Sequence, residues 1–328
     1  MTVDRRLLNW GVFLVLVGGI PLAVSQGWID SDVVAQAWQL WPLILIGAGV
    51  GLLLTATPLR ALGGVIVAAT IGTMVGAVLA VGFGGFSFGT IGCGGGADGP
   101  QIVDERGTFE GGSARVAVEA RCAELRVATG AGAGWELTVN GEESARPTVA
   151  AAAGSLAVRS PSGPTVFPFA QGSSWRLELG TDPRLDVSLR IDAGSADVDL
   201  AGATVGLLEV DANAVGDTRL DLAAAAVDRI DVEVNAADVA IELPATASLA
   251  GELQGNAASV DLCAAPDVGL RFRVDENITA SNNFADAGLV RSGNTWESPG
   301  YAAAAVQVDL GIGGGAVSYT LNPGGGCR

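Results

Sequence analysis

A short pattern recurs four times in the carboxyl-terminal half of the chain: an alternating strand, a small corner residue and a second alternating strand. It occurs in LRIDAGSADVDL (189–200), LEVDANAVGDTRLDL (208–222), DVEVNAADVAIEL (231–243) and LQGNAASVDL (253–262). The corner residues Gly194, Asn213, Asn235 and Asn256 are 19, 22 and 21 residues apart. A spacing of about 20 residues is typical of solenoids, in which each coil stacks on the previous one because it cannot bury its apolar row alone.

The alternation within each repeat predicts which side chains point into the solenoid. The expected inward residues are Val198, Leu200, Val239, Ile241, Val260 and Leu262. The second coil has one extra residue after its corner, so it is expected to bulge and to use Leu220 or Leu222 at this place. Glycine and asparagine tolerate a left-handed backbone, which predicts that conformation at the four corners. The same strand form extends the predicted β-solenoid to 107–322, with loops at 161–175 and 276–288.

Three apolar segments precede a glycine-rich stretch, each near the roughly 20 residues that cross a hydrocarbon core. They predict three transmembrane helices at 7–24, 41–57 and 61–83, within a membrane region of residues 1–83. The first segment has an alternative interpretation as a signal peptide, because two arginines precede it and the weak cleavage motif AVS ends it. Residues 84–106 are predicted to be a glycine-rich linker, and 323–328 a tail.

Arginine placement predicts the orientation of the membrane region. Arg5 and Arg6 precede the first helix and Arg60 lies between the second and third, which places the amino terminus in the cytoplasm and the solenoid outside. Small residues four apart favour close helix packing, and these are expected to contact another membrane protein. The residues concerned are Gly47, Gly51, Gly72 and Gly76.

Charge and composition exclude several classes of function. The net charge is -17, and residues 1–90 contain three arginines and three aspartates, so the rest of the chain carries the whole excess. An acidic body does not bind nucleic acid, because it cannot replace the counterions of the phosphates. The chain contains no His, and its 18 basic residues are all arginine. This excludes histidine-dependent and lysine-dependent catalysis and histidine-ligated zinc.

Outward-facing aspartates are the candidate binding residues. Asp197, Asp217 and Asp238 occupy nearly equivalent places in successive coils, where a column of carboxylates could hold Ca²⁺. The alternative is a solvated acidic face, partly neutralised by Arg219, with no metal or cofactor. Carboxylates of a β-helix could also serve a carbohydrate-active enzyme, but the coils from 185 to 262 contain no aromatic residue to bind a sugar. A carboxylate pair beside Trp175 or Trp296 would favour that alternative.

The four cysteines, Cys93, Cys122, Cys263 and Cys327, all lie in the part predicted to be outside the membrane. An oxidising compartment favours disulfides, and four cysteines allow three pairings. A solenoid keeps sequence neighbours close, which favours Cys93 with Cys122 and Cys263 with Cys327. The alternative is buried free thiols that pack as small apolar residues.

The amino-terminal layout, RRLLNWGVFLVLVGGIPLAV followed by WPLILIGAGVGLLL, resembles the LiaI/LiaF-type transmembrane region of bacterial envelope-stress proteins over residues 5–57. The coils IDAGSADVDL and NAASVDL resemble the adhesin-like, toast-rack family of bacterial β-solenoids, which supplies no catalytic residues. Together these resemblances imply a non-enzymatic, multi-pass protein of the bacterial plasma membrane that senses or regulates envelope stress with a partner such as a sensor kinase. The alternative is a surface adhesin or scaffold that binds envelope polysaccharide or self-associates.

Overall fold

The computed structural model describes residues 14–15, 46, 68–73, 99–161, 172–275, 281–324 and 326. The chain divides into two compact units, Met1–Ser87 and Phe88–Arg328. Every described residue of the first unit is helical. Within the described parts of the chain, no helix has the length and apolar character needed to cross a bilayer. Most of the three predicted transmembrane segments lies outside the described residues, so those segments remain predictions.

The described residues of the second unit form mainly β-strands. In chain order they are β1 Gln101–Thr108, β2 Ser113–Gly130, β3 Gly134–Asn140, β4 Thr148–Ala152, β5 Ser155–Arg159, β6 Ser173–Gly180, β7 Arg184–Asp199, β8 Thr204–Asp221, β9 Ala226–Asn235, β10 Asp238–Glu242, β11 Leu249–Asn256, β12 Ser259–Cys263, β13 Gly269–Val274, β14 Ser281–Asn282, β15 Val290–Ser292, β16 Thr295–Glu297, β17 Gln307–Gly315 and β18 Ser318–Leu321. Two single-turn 3₁₀ helices, Glu143–Ala145 and Tyr301–Ala303, lie between strands.

Parallel ladders on two sides of a shared core confirm the all-β, solenoid architecture. One ladder runs through β5, β2, β7, β8, β9, β11, β17 and β13, and the other through β6, β2, β7, β8, β10, β12, β18 and β14. The long strands β2, β7 and β8 turn the corner and join both. The last coil in sequence, β17 with β18, is inserted between β11–β12 and β13–β14.

The predicted inward residues are confirmed. Val198, Leu200, Val239, Ile241, Val260 and Leu262 are each at most 3% exposed, and Leu220 and Leu222 are both fully buried. The predicted bulge is also present, since the register of β7 against β8 shifts between Gly194 and Ala196. The alternating pattern therefore gave the burial of these coils correctly, because one face of every strand lines a single apolar core.

The prediction of left-handed asparagines at the corners is wrong. The left-handed residue is the one after Asn235 and Asn256, where Ala236 and Ala257 have φ of 53° and 51°. Ala193 takes the equivalent place beside Gly194, which also has positive φ. The left-handed conformation costs an alanine roughly 1–2 kcal/mol, and the backbone hydrogen bonds of the surrounding ladders hold it in this conformation.

The asparagines instead form a hydrogen-bonded ladder along the corner. The Nδ2 of Asn256 donates to the Oδ1 of Asn235 at 3.0 Å, and the Nδ2 of Asn235 donates to the Oδ1 of Asn213 at 3.0 Å. Asn213 in turn donates to Asp192, and the Gly315 amide donates to the Oδ1 of Asn256. Each side chain thus bonds to the coils above and below it, which ties five coils together at one edge.

Replacing Asn235 with alanine is expected to lower the free energy of unfolding by about 1–2 kcal/mol, because it removes the side-chain hydrogen bonds to Asn213, Asn256 and Glu233. The check is chemical denaturation of the purified chain in neutral detergent. Ser259→Ala at the start of β12 is the control, with a change under about 0.5 kcal/mol. Equal effects of the two substitutions would show that the ladder does not stabilise the corner.

Antiparallel strands close both ends of the solenoid. At the amino-terminal end β3 pairs with β1 and β6, and β4 pairs with β5. Strand β1 begins at Gln101, inside the segment 84–106 predicted to be linker. At the other end β16 pairs with β13 and β15, and the side chain of Asn283 bonds both the amide and the carbonyl of Leu321 on β18. These contacts satisfy edge groups that would otherwise be open to another chain.

The predicted loops are only partly loops. Ser173–Gly180 forms β6, so Trp175 lies in a strand and is 1% exposed. Ser281–Asn282 forms the short β14, and the turn that follows it carries the buried Phe284. Segments 162–171 and 276–280 lie outside the described residues. In both cases a buried aromatic side chain anchors a segment whose polar, glycine-rich composition favoured a loop.

Candidate functional sites on the solenoid

The three aspartates proposed as a calcium column do not form one. Asp217 and Asp238 are neighbours in register, but Asp197 lies beside Arg219. The corners predicted to be equivalent are not in register, because Asn213 pairs with Asp192 and not with Gly194, and this breaks the alignment. The carboxylate of Asp197 instead contacts the guanidinium of Arg126 at 3.6 Å. In the part of the chain that the structure describes, no group of three or more acidic or cysteine side chains is arranged to hold a metal ion.

Two carboxyl groups on this face, those of Asp238 and Glu242, lie in surroundings that disfavour their charged form. Burial raises the pKa of Asp238, and the nearby charges of Asp217 and Asp261 raise it further. Burial and the charge of Asp221 likewise raise the pKa of Glu242, against the opposing effect of Arg219. For an acid with a raised folded-state pKa, the folded protein binds the proton more tightly than the unfolded chain, so stability falls as the pH rises through that pKa.

Asp238→Asn is therefore expected to raise the melting temperature at pH 7.5 by about 1–3 °C and to leave it unchanged near pH 3, where the native carboxyl is protonated. Thermal melts between pH 3 and pH 8 test this. The control is Asp267→Asn, an exposed carboxylate in the turn before β13. A lower melting temperature of the Asp238 variant at pH 7.5 would contradict the expectation.

A shallow acidic groove lies on the other ladder. Its volume is about 460 Å³, and three successive strands place Glu209, Asp231 and Glu252 side by side at its centre. Asp211 and Glu233 form the adjoining row. Arginines at its border form ion pairs with some of these carboxylates: Arg229 with Asp231 at 3.1 Å and Arg190 with Asp211 at 3.5 Å. The groove therefore keeps an excess of negative charge.

Neither tryptophan that would favour an enzyme has a carboxylate pair in a cleft beside it. Trp175 is buried, and its Nε1 donates to the Oγ of Ser173 at 2.8 Å. The cavity next to it contains one carboxylate, that of Glu124. Trp296 packs on Phe284 and under the guanidinium of Arg291, and the adjacent Glu297 is bound to Arg271 at 2.8 Å. The described residues thus bring no acid and base together at either place.

Cys122 and Cys263 are both disulfide-bonded. Cys122 is at a left-handed corner of β2, with φ of 50°, and Cys263 is the last residue of β12. Cys93 and Cys327 lie outside the described residues, so the pairing given above remains a prediction. The alternative of free thiols at 122 and 263 is not what the structure has.

Of the four glycines predicted to pack transmembrane helices, only Gly72 is described. It is buried within the helical segment 68–73, next to the exposed Ile71. Gly47, Gly51 and Gly76 lie outside the described residues. Their role in helix packing remains a prediction.

Among the described strands, two arginines face each other at a single place that no sequence pattern predicted. Arg126 of β2 and Arg176 of β6 are neighbours in register and line a common cavity. They are 50 residues apart in the chain and each sits in an ordinary alternating strand. Only the pairing of β2 with β6 brings them together, and no local sequence pattern predicts that pairing.

Two family models match the chain. One, described as the LiaI-LiaF-like transmembrane region, matches residues 10–53. The other, described as the N-terminal domain of toast_rack, matches residues 110–242. Together they cover a membrane region and the first half of the solenoid. None of the curated proteins that were compared with the chain matches it.

Solved structures with a similar arrangement include two candidate adhesins. A candidate cell adhesion protein of Clostridium sporogenes is 12% identical with a TM-score of 0.44, over 67% of this chain and 98% of that one. A candidate adhesin of Bacteroides fragilis is 8% identical with a TM-score of 0.30, over 67% of this chain and 96% of that one. By the family models, residues 10–53 are similar to the LiaI-LiaF-like transmembrane region, and residues 110–242 of the all-β solenoid are similar to the N-terminal domain of toast_rack.

Proposed function

We propose that this protein senses or regulates envelope stress in a bacterial plasma membrane, with its solenoid outside and its membrane region bound to a signalling partner such as a sensor kinase. The observation that supports it best is the presence in one chain of a LiaI-LiaF-like transmembrane region and a toast-rack domain. Neither matched family is an enzyme family. The coarser conclusion, a membrane-anchored envelope protein, needs only these two matches.

The acidic groove is the surface that we assign to the external partner. Its central carboxylates, Glu209, Asp231 and Glu252, lie on three neighbouring strands of one rigid ladder. A fixed row of like charges favours a complementary, basic partner and speeds its encounter with the solenoid. A change in occupancy of this groove is the proposed input, and altered packing of the transmembrane helices is the proposed output.

The structure offers less support for an end-to-end scaffold. Assembly by stacking of coils needs an open ladder edge, but antiparallel strands and the Asn283 side chain cover the described ends. A surface adhesin that binds through one face rather than through its ends remains the alternative outcome of the test below.

The test is crosslinking and affinity recovery of the tagged chain from native membranes, with and without a cell-wall-active antibiotic. We expect a signalling protein such as a histidine kinase to be recovered. The recovery should be lost in the Gly72→Leu, Gly76→Leu double variant and kept in Ile71→Leu, which changes an exposed residue of the same helical segment. Recovery of wall polysaccharide alone, unchanged by the antibiotic, would contradict the proposal and favour the adhesin.

A further inference from the structure

A pair of arginines faces each other across two strands of this acidic protein. Arg126 on β2 and Arg176 on β6 are register neighbours in a parallel ladder, and both side chains are exposed. In the ladders that the structure describes, no other two arginines are paired in this way. Like charges on directly opposed positions destabilise a sheet, so this pair weakens the fold unless an anion lies between the two groups.

The neighbouring carboxylates form ion pairs with only one member of the pair, Arg126. Arg126 contacts Glu124 at 3.5 Å and Asp197 at 3.6 Å, both longer than a charge-assisted hydrogen bond. None of the ion pairs between described residues includes Arg176. The guanidinium of Arg176 is therefore available to a ligand.

The two arginines line a cavity of about 370 Å³ on the outer face of the β2–β6–β3 sheet. Its other polar lining residues are Ser174, Thr138, Asn140 and Glu124. Ser174 and Thr138 carry hydroxyl groups and Asn140 carries an amide, and each is half-buried and fixed on a strand. The antiparallel register places Thr138 beside Arg176 and Asn140 beside Ser174. The cavity thus combines two cations and neutral donors with one carboxylate, that of Glu124, on a rigid sheet.

Two adjacent guanidinium groups match the chemistry of a phosphate group. Each guanidinium presents a planar set of N–H donors that binds two oxygens at once, and two of them balance the charge of about -1.5 to -2 on a phosphate monoester. The Thr138 hydroxyl and the Asn140 amide can bond the remaining oxygens. We propose that the cavity between Arg126 and Arg176 binds a phosphate group, carried either by a soluble phosphate ester or by a lipid headgroup. This inference does not depend on the proposed signalling role.

The test is isothermal titration of the full chain in neutral detergent, at low ionic strength, with inorganic phosphate as the probe. We expect saturable binding that weakens by about tenfold or more in Arg126→Gln and in Arg176→Gln, because each removes charge-assisted hydrogen bonds. Arg176→Lys keeps the charge and loses the planar donors, so its affinity for phosphate should lie between that of the native chain and that of Arg176→Gln. Arg159→Gln is the matched control, since Arg159 is also exposed on a strand but is paired with Glu119 at 3.2 Å.

Titration with two further probes distinguishes a lipid headgroup from a soluble phosphate ester. Tighter binding of short-chain phosphatidylglycerol than of glycerol phosphate, lost in Arg176→Gln, would support a lipid headgroup. Equal binding of the two, also lost in that variant, would support a soluble phosphate ester. Absence of binding by every probe, or binding that persists in both glutamine variants, would overturn the proposal. Melting temperatures show that the variants are folded, and Arg176→Gln should melt no lower than the native chain because it removes a repulsion.

Discussion

Phe284→Ala is expected to lower the free energy of unfolding of the solenoid by about 3–5 kcal/mol. The side chain is fully buried and closes the carboxyl-terminal end of the core. Its ring centroid lies 4.9 Å from that of Phe272 and 6.0 Å from that of Trp296, in an edge-on arrangement. Alanine would leave a cavity among these rings and remove the aromatic contacts as well.

Guanidinium denaturation of the purified chain in neutral detergent, followed by tryptophan fluorescence, measures this loss. Trp296 reports on the end of the solenoid because it contacts the replaced ring. Val290→Ala, which truncates a side chain that is 63% exposed on β15, is the control and should change the free energy by less than about 0.5 kcal/mol. A loss under about 1 kcal/mol at Phe284 would mean that this residue does not close the core.

Gly194→Ala is expected to have a comparable effect, lowering the free energy of unfolding by about 3 kcal/mol or more. The position has φ of 120°, which an L side chain rarely adopts, and a β-carbon there would overlap the carbonyl oxygen of Ala123. Ala123 belongs to β2, the next strand of the ladder, so relief of the overlap requires the two coils to separate.

A second glycine separates the backbone strain from the steric overlap. Gly202 also has positive φ, 77°, but the nearest atom to a β-carbon there is 4.0 Å away. Gly202→Ala should therefore cost only about 1 kcal/mol, the penalty for the left-handed backbone alone. Thermal and chemical denaturation of both variants give the comparison. Equal losses would show that close packing of the coils at the corner contributes nothing beyond conformation.

The sequence predicted burial better than it predicted register. The aliphatic residues from Val198 to Leu262 were assigned to the core correctly because alternation in a strand depends only on the strand's own residues. The calcium column failed because alignment between coils depends on every residue inserted between them. Asn213 pairs with Asp192 and not with Gly194, and the bulge that follows then places Arg219 rather than Asp217 beside Asp197.

Other features depended on contacts that are distant in sequence. The insertion of β17 and β18 between earlier coils brings Leu310 beside Gly251, 59 residues away in the chain, and repeat spacing does not predict such an order. The left-handed alanines 236 and 257 follow asparagines whose side chains were free to form a ladder. The arginine cavity exists only because β6 returns to pair with β2. Local sequence patterns do not predict these strand pairings.

The central claim is that a membrane region anchors an acidic solenoid on the outer side of the plasma membrane. Its most direct test is protease accessibility of epitope tags placed at each end of the chain, in intact bacterial spheroplasts and after lysis. The account predicts that the carboxyl-terminal tag is removed from intact spheroplasts while the amino-terminal tag is removed only after lysis. Removal of the amino-terminal tag alone from intact spheroplasts, with the carboxyl-terminal tag protected, would place the solenoid in the cytoplasm and contradict the account.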